Sequence, residues 1–303
     1  MKKALSAAAT FFTGLFCLTA ATLADDGVGK PVDGGITFQG SVTETMDRIT
    51  DFHDGILMPI ITVITIFVLG LIGYVMFRFR EKANPTPSKT THNIFIEVVW
   101  TVVPIVILVI IGIPSFRLLY FQDVVPEADM VIQATGNQWY WTYEYIGEDG
   151  LMYDSTMVPS AYWDKGNESD LAEAKAGIQR MIGNNKDFEM QRLLETDTRV
   201  VVPVDTTVKL IVTASDVLHA WTIPSFGIKI DAVPGRANET WFKAREVGTY
   251  YGQCSELCGP YHAFMPIAVE VVSKADYQQW LARAKTIYAS NSQPANSRLA
   301  VAQ

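Results

Sequence analysis

Cys254-Ser-Glu256-Leu-Cys258-Gly-Pro-Tyr-His262-Ala-Phe-Met265 puts two thiols, an imidazole and a thioether into one short loop near the C-terminal end of the chain. A second imidazole comes from the upstream segment Asp216-Val-Leu-His219-Ala-Trp221. Soft and borderline donors of this kind suit copper or zinc, and not calcium or magnesium. A single tetrahedral metal has room for about four ligands, and here five side chains compete. One Cys, two His and a weak axial Met make a mononuclear blue-copper site. The second Cys is surplus to that recipe unless two sulfurs bridge two metals. Two blander readings stand beside copper. A Cys254–Cys258 disulfide suits an exported domain, but it closes a very small loop and leaves His219, His262 and Met265 without a purpose. Structural zinc is the other, and it seldom recruits Met. The donor set therefore weighs towards copper.

Moving outward, 303 residues suffice for one soluble domain plus a membrane anchor. The 49% hydrophobic content is gathered into a few runs, which is not the pattern of a polytopic transporter. Of three cysteines, Cys17 falls in a leader-like stretch, so no disulfide framework remains to explain. A net charge of -8 argues against nucleic acid as a partner and for a basic one.

Lys2 and Lys3 precede the apolar stretch Ala8 to Ala21, and Thr22-Leu-Ala24 before Asp25 resembles a cleavage site. Residues 1–24 therefore read as a secretory signal peptide, with an extra N-terminal anchor as the alternative. Residues 25–55 are Gly-rich and acidic, a polar lead-in outside the membrane. From Ile56 to Phe77 the chain runs 22 residues without a charge, against the roughly 20 that cross a bilayer as helix. A second span is expected over about 98–120. Pro104 and Pro114 lie inside it, which a membrane helix tolerates when its neighbours satisfy the freed carbonyls. The connecting loop 78–93 holds Arg78, Arg80, Lys82 and Lys89 against the single acid Glu81. The positive-inside rule places that loop in the cytoplasm and both flanks outside. Glu97, at the cytoplasmic end of the second span, reads either as a snorkelling boundary marker or as a polar entrance to a proton path in a partner subunit.

From residue 121 the pattern changes to short runs rich in β-branched and aromatic residues, at 131–134, 138–145, 199–202, 208–213, 226–230, 239–242, 248–251 and 267–272. Pro203, Pro224, Pro234-Gly235 and Gly248 punctuate them. Such spacing predicts an antiparallel sandwich or barrel over 121–290. Residues 160–192 interrupt it, with a polar helical stretch at Leu171–Arg180. A terminal helix is expected over about Lys274–Tyr288, and 291–303 is a polar tail. Residues 121–303 contain 15 Lys/Arg and 23 Asp/Glu, so this domain holds the whole net charge and attracts a cationic partner.

The loop, the segment Asp216–Trp221, the run Gln138-Trp-Tyr-Trp-Thr-Tyr-Glu-Tyr145 and the hairpin together resemble subunit II of haem–copper cytochrome c oxidase, in its bacterial form with a cleaved leader. The resemblance covers about residues 40–290. It implies a two-helix transmembrane hairpin plus an all-β, cupredoxin-like Greek-key barrel, in the bacterial inner membrane with its C-terminal domain periplasmic. It also implies the binuclear copper centre called CuA. Cys254 and Cys258 would bridge two copper ions, with His219 and Met265 completing one, and His262 and the Glu256 carbonyl the other. The Glu256 side chain would reach a magnesium or manganese ion shared with subunit I, a hard ion that suits a carboxylate. Trp139 would receive the electron from cytochrome c, Glu144, Asp197 and Asp216 would dock that protein, and Glu97 would mark the mouth of a proton channel in subunit I. Asn137 stands where the family often has His, and is not a ligand position.

The implied function is to accept single electrons from reduced cytochrome c and pass them to haem in subunit I, where oxygen is reduced and protons are pumped. This chain would carry electron transfer and no oxygen chemistry. Its expected partners are subunit I and other oxidase subunits, a soluble or anchored cytochrome c and membrane lipid, with no nucleic acid. The absence of a Cys-x-x-Cys-His motif makes the donor a separate protein. A membrane-anchored periplasmic copper-delivery or storage module, using the same ligands, is the alternative.

Overall fold

A computed structural model describes residues 27–86, 88–183 and 188–288. The expected signal peptide (1–24) and polar tail (291–303) lie outside the described residues. Within the stretch expected as a polar lead-in, the chain forms helix α1 (Glu44–Phe52). The Thr43 hydroxyl accepts the Met46 N–H, and Glu44 and Asp47 occupy the first turn, where carboxylates offset the positive end of the helix. After a π-helical turn at His53–Leu57 the helix continues as α2 (Met58–Arg78), and α3 spans Ile94–Asp123. Both long helices are strongly apolar and none of their residues is buried, so each presents hydrocarbon on every side. That suits a bilayer or neighbouring membrane helices and not water.

The remaining chain is a two-layer β domain. One sheet has the order β3–β2–β1–β5–β8, built from β1 (Met130–Asn137), β2 (Tyr140–Ile146), β3 (Met152–Ser155), β5 (Val208–Ala214) and β8 (Asn238–Phe242). The other has the order β4–β10–β9, from β4 (Val200–Pro203), β9 (Gly248–Gln253) and β10 (Pro266–Val272). The hairpin of β6 (His219–Ile223) and β7 (Ile228–Ala232) closes the end between them. Along β2, Trp141, Tyr143 and Tyr145 point inward and alternate with outward Thr142 and Glu144, the period-2 pattern of a half-covered sheet. β10 is buried along its whole length, with strands on both of its edges. Helix α5 (Lys274–Tyr288) packs beside β4 and buries Tyr277, Trp280, Leu281 and Ala284. Ser273 caps the start of α5: its hydroxyl accepts the Asp276 N–H and donates to the Asp276 carboxylate.

This is the expected hairpin plus cupredoxin-like β domain, with one correction to its strand pairing. The sheets are mixed and not purely antiparallel: β1 runs parallel to β5, and β10 parallel to β4. A Greek-key path lays strands distant in sequence side by side, and direction then follows from the crossover.

The barrel and the membrane anchor are tied together at α1. The Val42 N–H donates to the Ser225 carbonyl, the Thr43 hydroxyl to the Phe226 carbonyl at 2.8 Å, and Arg245 pairs with Asp47. Gly227 turns there with φ near 68°, where an added Cβ would press on the Met46 backbone at 3.0 Å.

Residues between β3 and β4 carry helix α4 (Glu168–Ile182), which buries Ile178 and Ile182 with Val158 in a small satellite core. Its base is pinned by Asp197, whose carboxylate accepts the Thr156 N–H at 2.9 Å and the Thr156 hydroxyl at 2.5 Å. Beside it the fully buried Arg199 bridges Glu195 at 2.7 Å and Glu270 at 2.9 Å. Removing one partner of a buried pair leaves an uncompensated charge. Arg199→Met is therefore expected to destabilise the full chain by about 3 kcal/mol or more. Urea unfolding in detergent, followed by near-UV circular dichroism, measures this as a lower midpoint.

Candidate metal centre

His219 opens β6 and is fully buried. Its ring lies against Gly136 of β1, where an added Cβ would come within 2.8 Å of the imidazole, and edge-on to Trp141 with centroids 6.0 Å apart. Nε2 sits 2.9 Å from the Asp216 carboxylate. That acceptor holds the proton on Nε2 and leaves the Nδ1 lone pair facing the Cys254 sulfur at 3.8 Å.

The loop 254–265 is the connection between the antiparallel neighbours β9 and β10, and both of its ends are fastened. The Cys254 N–H donates to the Met265 carbonyl, and the Ser255 N–H to the Ala220 carbonyl of β6. Gly252 allows β9 to lie against β6, since a Cβ there would collide with the Thr222 carbonyl at 1.7 Å. The sulfurs of Cys254 and Cys258 are 3.9 Å apart and both thiols are free. A disulfide holds its sulfurs about 2.05 Å apart, so that pairing is not formed. Around the sulfurs, His262 Nδ1 and Met265 Sδ each approach Cys258 at 3.5 Å, and the Glu256 carbonyl lies 3.3 Å from Cys254. Donor atoms of His219, Cys254 and Cys258 all lie within 4.8 Å of one another.

These donors fit soft metal ions. Metal–thiolate bonds are about 2.3 Å long, so an ion seated between sulfurs 3.9 Å apart reaches both. The electrostatics agree. Burial pushes the Cys254 thiol up, but the His219 imidazole and backbone groups at Glu256 and Ala220 outweigh it and bring the thiol below its ordinary value. Burial and the charge of Cys254 push Cys258 the other way. Two adjacent thiolates repel strongly in a dry site, and a bound cation is what lets both ionise.

Among the other residues singled out in the sequence, Trp139 sits half-buried in the β1–β2 turn, its indole N–H donating to the Cys258 carbonyl at 3.2 Å. Asp216 is exposed, yet its oxygens accept from the N–H groups of Gln138 and Val217, each at 2.7 Å, besides contacting His219. Burial pushes its carboxyl up, but these contacts leave it below the usual carboxylate range. Glu256 is half-buried in the loop, and Glu144 faces outward from β2 opposite Gln133. Asp197 is occupied with Thr156, away from the loop's own hydrogen bonds. Glu97 lies in the first turn of α3, roughly 40 Å along that helix from Asp123. Sequence reasoning missed Gly136 and Gln138. A glycine inside a strand signals close backbone approach and marks Gly136; nothing local marks Gln138.

A β domain that buries thiol, imidazole and thioether donors, carried on a membrane-length helical hairpin, defines a membrane-anchored soft-metal protein. The family model "Cytochrome C oxidase subunit II, periplasmic domain" matches residues 130–182 and 178–272, and the corresponding transmembrane-domain model matches 31–118. Cytochrome c oxidase subunit 2 of Cereibacter sphaeroides is 44% identical over 284 residues, covering 93% of this chain and 91% of the relative. A probable cytochrome c oxidase subunit 2 of Rickettsia prowazekii is 47% identical over 253 residues, covering 84% and 73%. The crystal structure of the periplasmic domain of cytochrome oxidase subunit II of Bradyrhizobium japonicum is 43% identical, covers 55% of this chain and 99% of that one, and has a TM-score of 0.44. The chain belongs to the cytochrome c oxidase subunit II family.

Gly136→Ala forces its methyl into the His219 ring, and overpacking of this kind costs about 1–3 kcal/mol. The expected result is a folded chain with weakened copper retention and an altered copper absorption spectrum, read by metal analysis and visible spectroscopy after copper loading.

Proposed function

We propose that this chain is the electron-receiving subunit of a cytochrome c oxidase in a bacterial inner membrane. The observation that carries the reading is the pair of unbonded, buried sulfurs set among His219, His262, Met265 and the Glu256 carbonyl. A binuclear copper centre held here would supply one-electron transfer between reduced cytochrome c and haem in subunit I. Cys254 and Cys258 would hold both ions as thiolates, with His219 and Met265 as further ligands of one, and His262 and the Glu256 carbonyl of the other. Donors fastened to the barrel strands would restrict geometric change on reduction, which would keep reorganisation small.

Trp139 is the point of electron uptake, its indole hydrogen-bonded to the carbonyl of a bridging cysteine. Glu144, Asp197 and Asp216 contribute to the negative face that a cationic cytochrome approaches. The Glu256 carboxylate binds magnesium or manganese together with groups of subunit I, and Glu97 lines the mouth of a proton path in that subunit. The long helices pack on subunit I and lipid. Oxygen chemistry and proton pumping belong to the assembled enzyme, and this chain supplies the electron relay. A copper-delivery or storage module needs the same ligands but has no use for an indole braced onto the metal loop.

The copper-loaded full chain is expected to bind two coppers, with one unpaired electron shared equally between them in the half-reduced state. Metal analysis showing one copper, or electron paramagnetic resonance of a single localised Cu(II), would sink the assignment. In the assembled enzyme, Trp139→Ala is expected to slow electron uptake from cytochrome c while copper content stays at two. Normal turnover would remove Trp139 from the route.

A further inference from the structure

The turn that carries Trp139 is not held by the indole alone. Gln138 precedes it, and although its residue is exposed, its side chain folds back onto the metal loop. Its amide Nε2 donates to the Cys258 carbonyl at 3.0 Å, and the Trp139 indole donates to the same oxygen at 3.2 Å. Its backbone N–H is held by Asp216 at 2.7 Å, and the same carboxylate holds His219 Nε2 at 2.9 Å. Gly259, at φ near 121°, lets the indole lie against the loop, with an added Cβ there only 3.0 Å from the ring. The contacts form a closed circuit: Cys258 carbonyl, Gln138, Asp216, His219, Cys254.

We propose that Gln138 is a positioning residue for electron uptake. With Asp216 it braces the Trp139 turn onto the Cys258 carbonyl, so that indole and metal loop move as one body. A carbonyl oxygen has two lone pairs, and here both N–H donors use the same one-residue target. The indole itself makes one hydrogen bond of ordinary net strength, an edge contact with Tyr261 at 5.0 Å and a partial packing on the core, none of which fixes the backbone of the turn that carries it. The second donor and the Asp216 contact restrict the turn so that the ring returns to the same place. The role differs from docking. Gln138 carries no charge, its amide is turned inward, and its removal changes where the electron crosses rather than how tightly the cytochrome binds.

This inference rests on Trp139 being the point of uptake, and the experiments separate the two. In the full chain in detergent, free of copper and with 15N-labelled indoles, Gln138→Leu is expected to accelerate hydrogen exchange of the Trp139 indole N–H by about fivefold or more, the scale of one hydrogen bond. In the assembled enzyme the same variant is expected to lower kcat with cytochrome c and leave KM, its salt dependence and the copper spectrum unchanged. Gln138→Asn, which keeps an amide donor, is expected to restore part of the rate. Unchanged indole exchange overturns the brace. A raised KM with unchanged kcat makes Gln138 a docking residue and also overturns it. Normal turnover of Trp139→Ala defeats the uptake assignment itself, whereas a slow Trp139→Ala beside a normal Gln138→Leu defeats only the brace.

Discussion

Two buried sulfurs kept 3.9 Å apart, close enough to share a cation and too far to bond each other, set the terms for the β domain around them. A loop of this length has no means of holding two potential thiolates together, because their mutual repulsion in a dry site opposes it. The barrel supplies the restraint. The loop leaves β9 and returns to β10, strands that are already antiparallel partners, and one hydrogen bond between Cys254 and Met265 closes its mouth. A second fixes Ser255 to β6, the strand whose first residue is the buried imidazole. Glycines at 136 and 252 let three strands approach where any side chain would collide.

The same restraint explains why Asp216 serves two neighbours. A carboxylate on a buried ring's outer nitrogen orients the imidazole and raises its basicity as a ligand. Here that carboxylate also captures the turn before Trp139, so the orientation of the candidate ligand His219 and the placement of the indole depend on one side chain. His219 opens β6 and Trp139 sits in the two-residue turn between β1 and β2, so neither rides on a long loop, which limits how far either drifts.

How much of this was legible in the sequence follows from what each residue needs. The donors announced themselves, since Cys, His and Met in that spacing have few other uses, and the long apolar runs announced the hairpin. The period-2 alternation of Trp141, Tyr143 and Tyr145 was readable as a half-buried strand. Helix α1 was hidden because its composition is polar, and its only sign was Thr43 ahead of Glu44 and Asp47. β6 was hidden because His219 and Trp221 read as a ligand segment, and the parallel pairings because strand direction depends on the crossover path. Gln138 was illegible: its partner lies 120 residues away and an exposed glutamine has no preferred role.

Charge shows the same limit from another side. Asp197 and Asp216 are acids on the outer surface, and sequence alone counts them as free docking groups. In the structure the first spends its oxygens on Thr156, and the second on Gln138, Val217 and His219. Hydrogen bonding of this kind occupies lone pairs without removing the charge. Such carboxylates keep contributing to the long-range field of an acidic domain while being poorly placed for close pairing with a partner's lysine. The charge of these acids therefore acts through the summed field of the domain more than through any one ion pair. A field of that origin speeds encounter with a protein of opposite charge and weakens as salt shortens the Debye length, whereas a close ion pair would need carboxylate oxygens that these two acids have already committed within the domain.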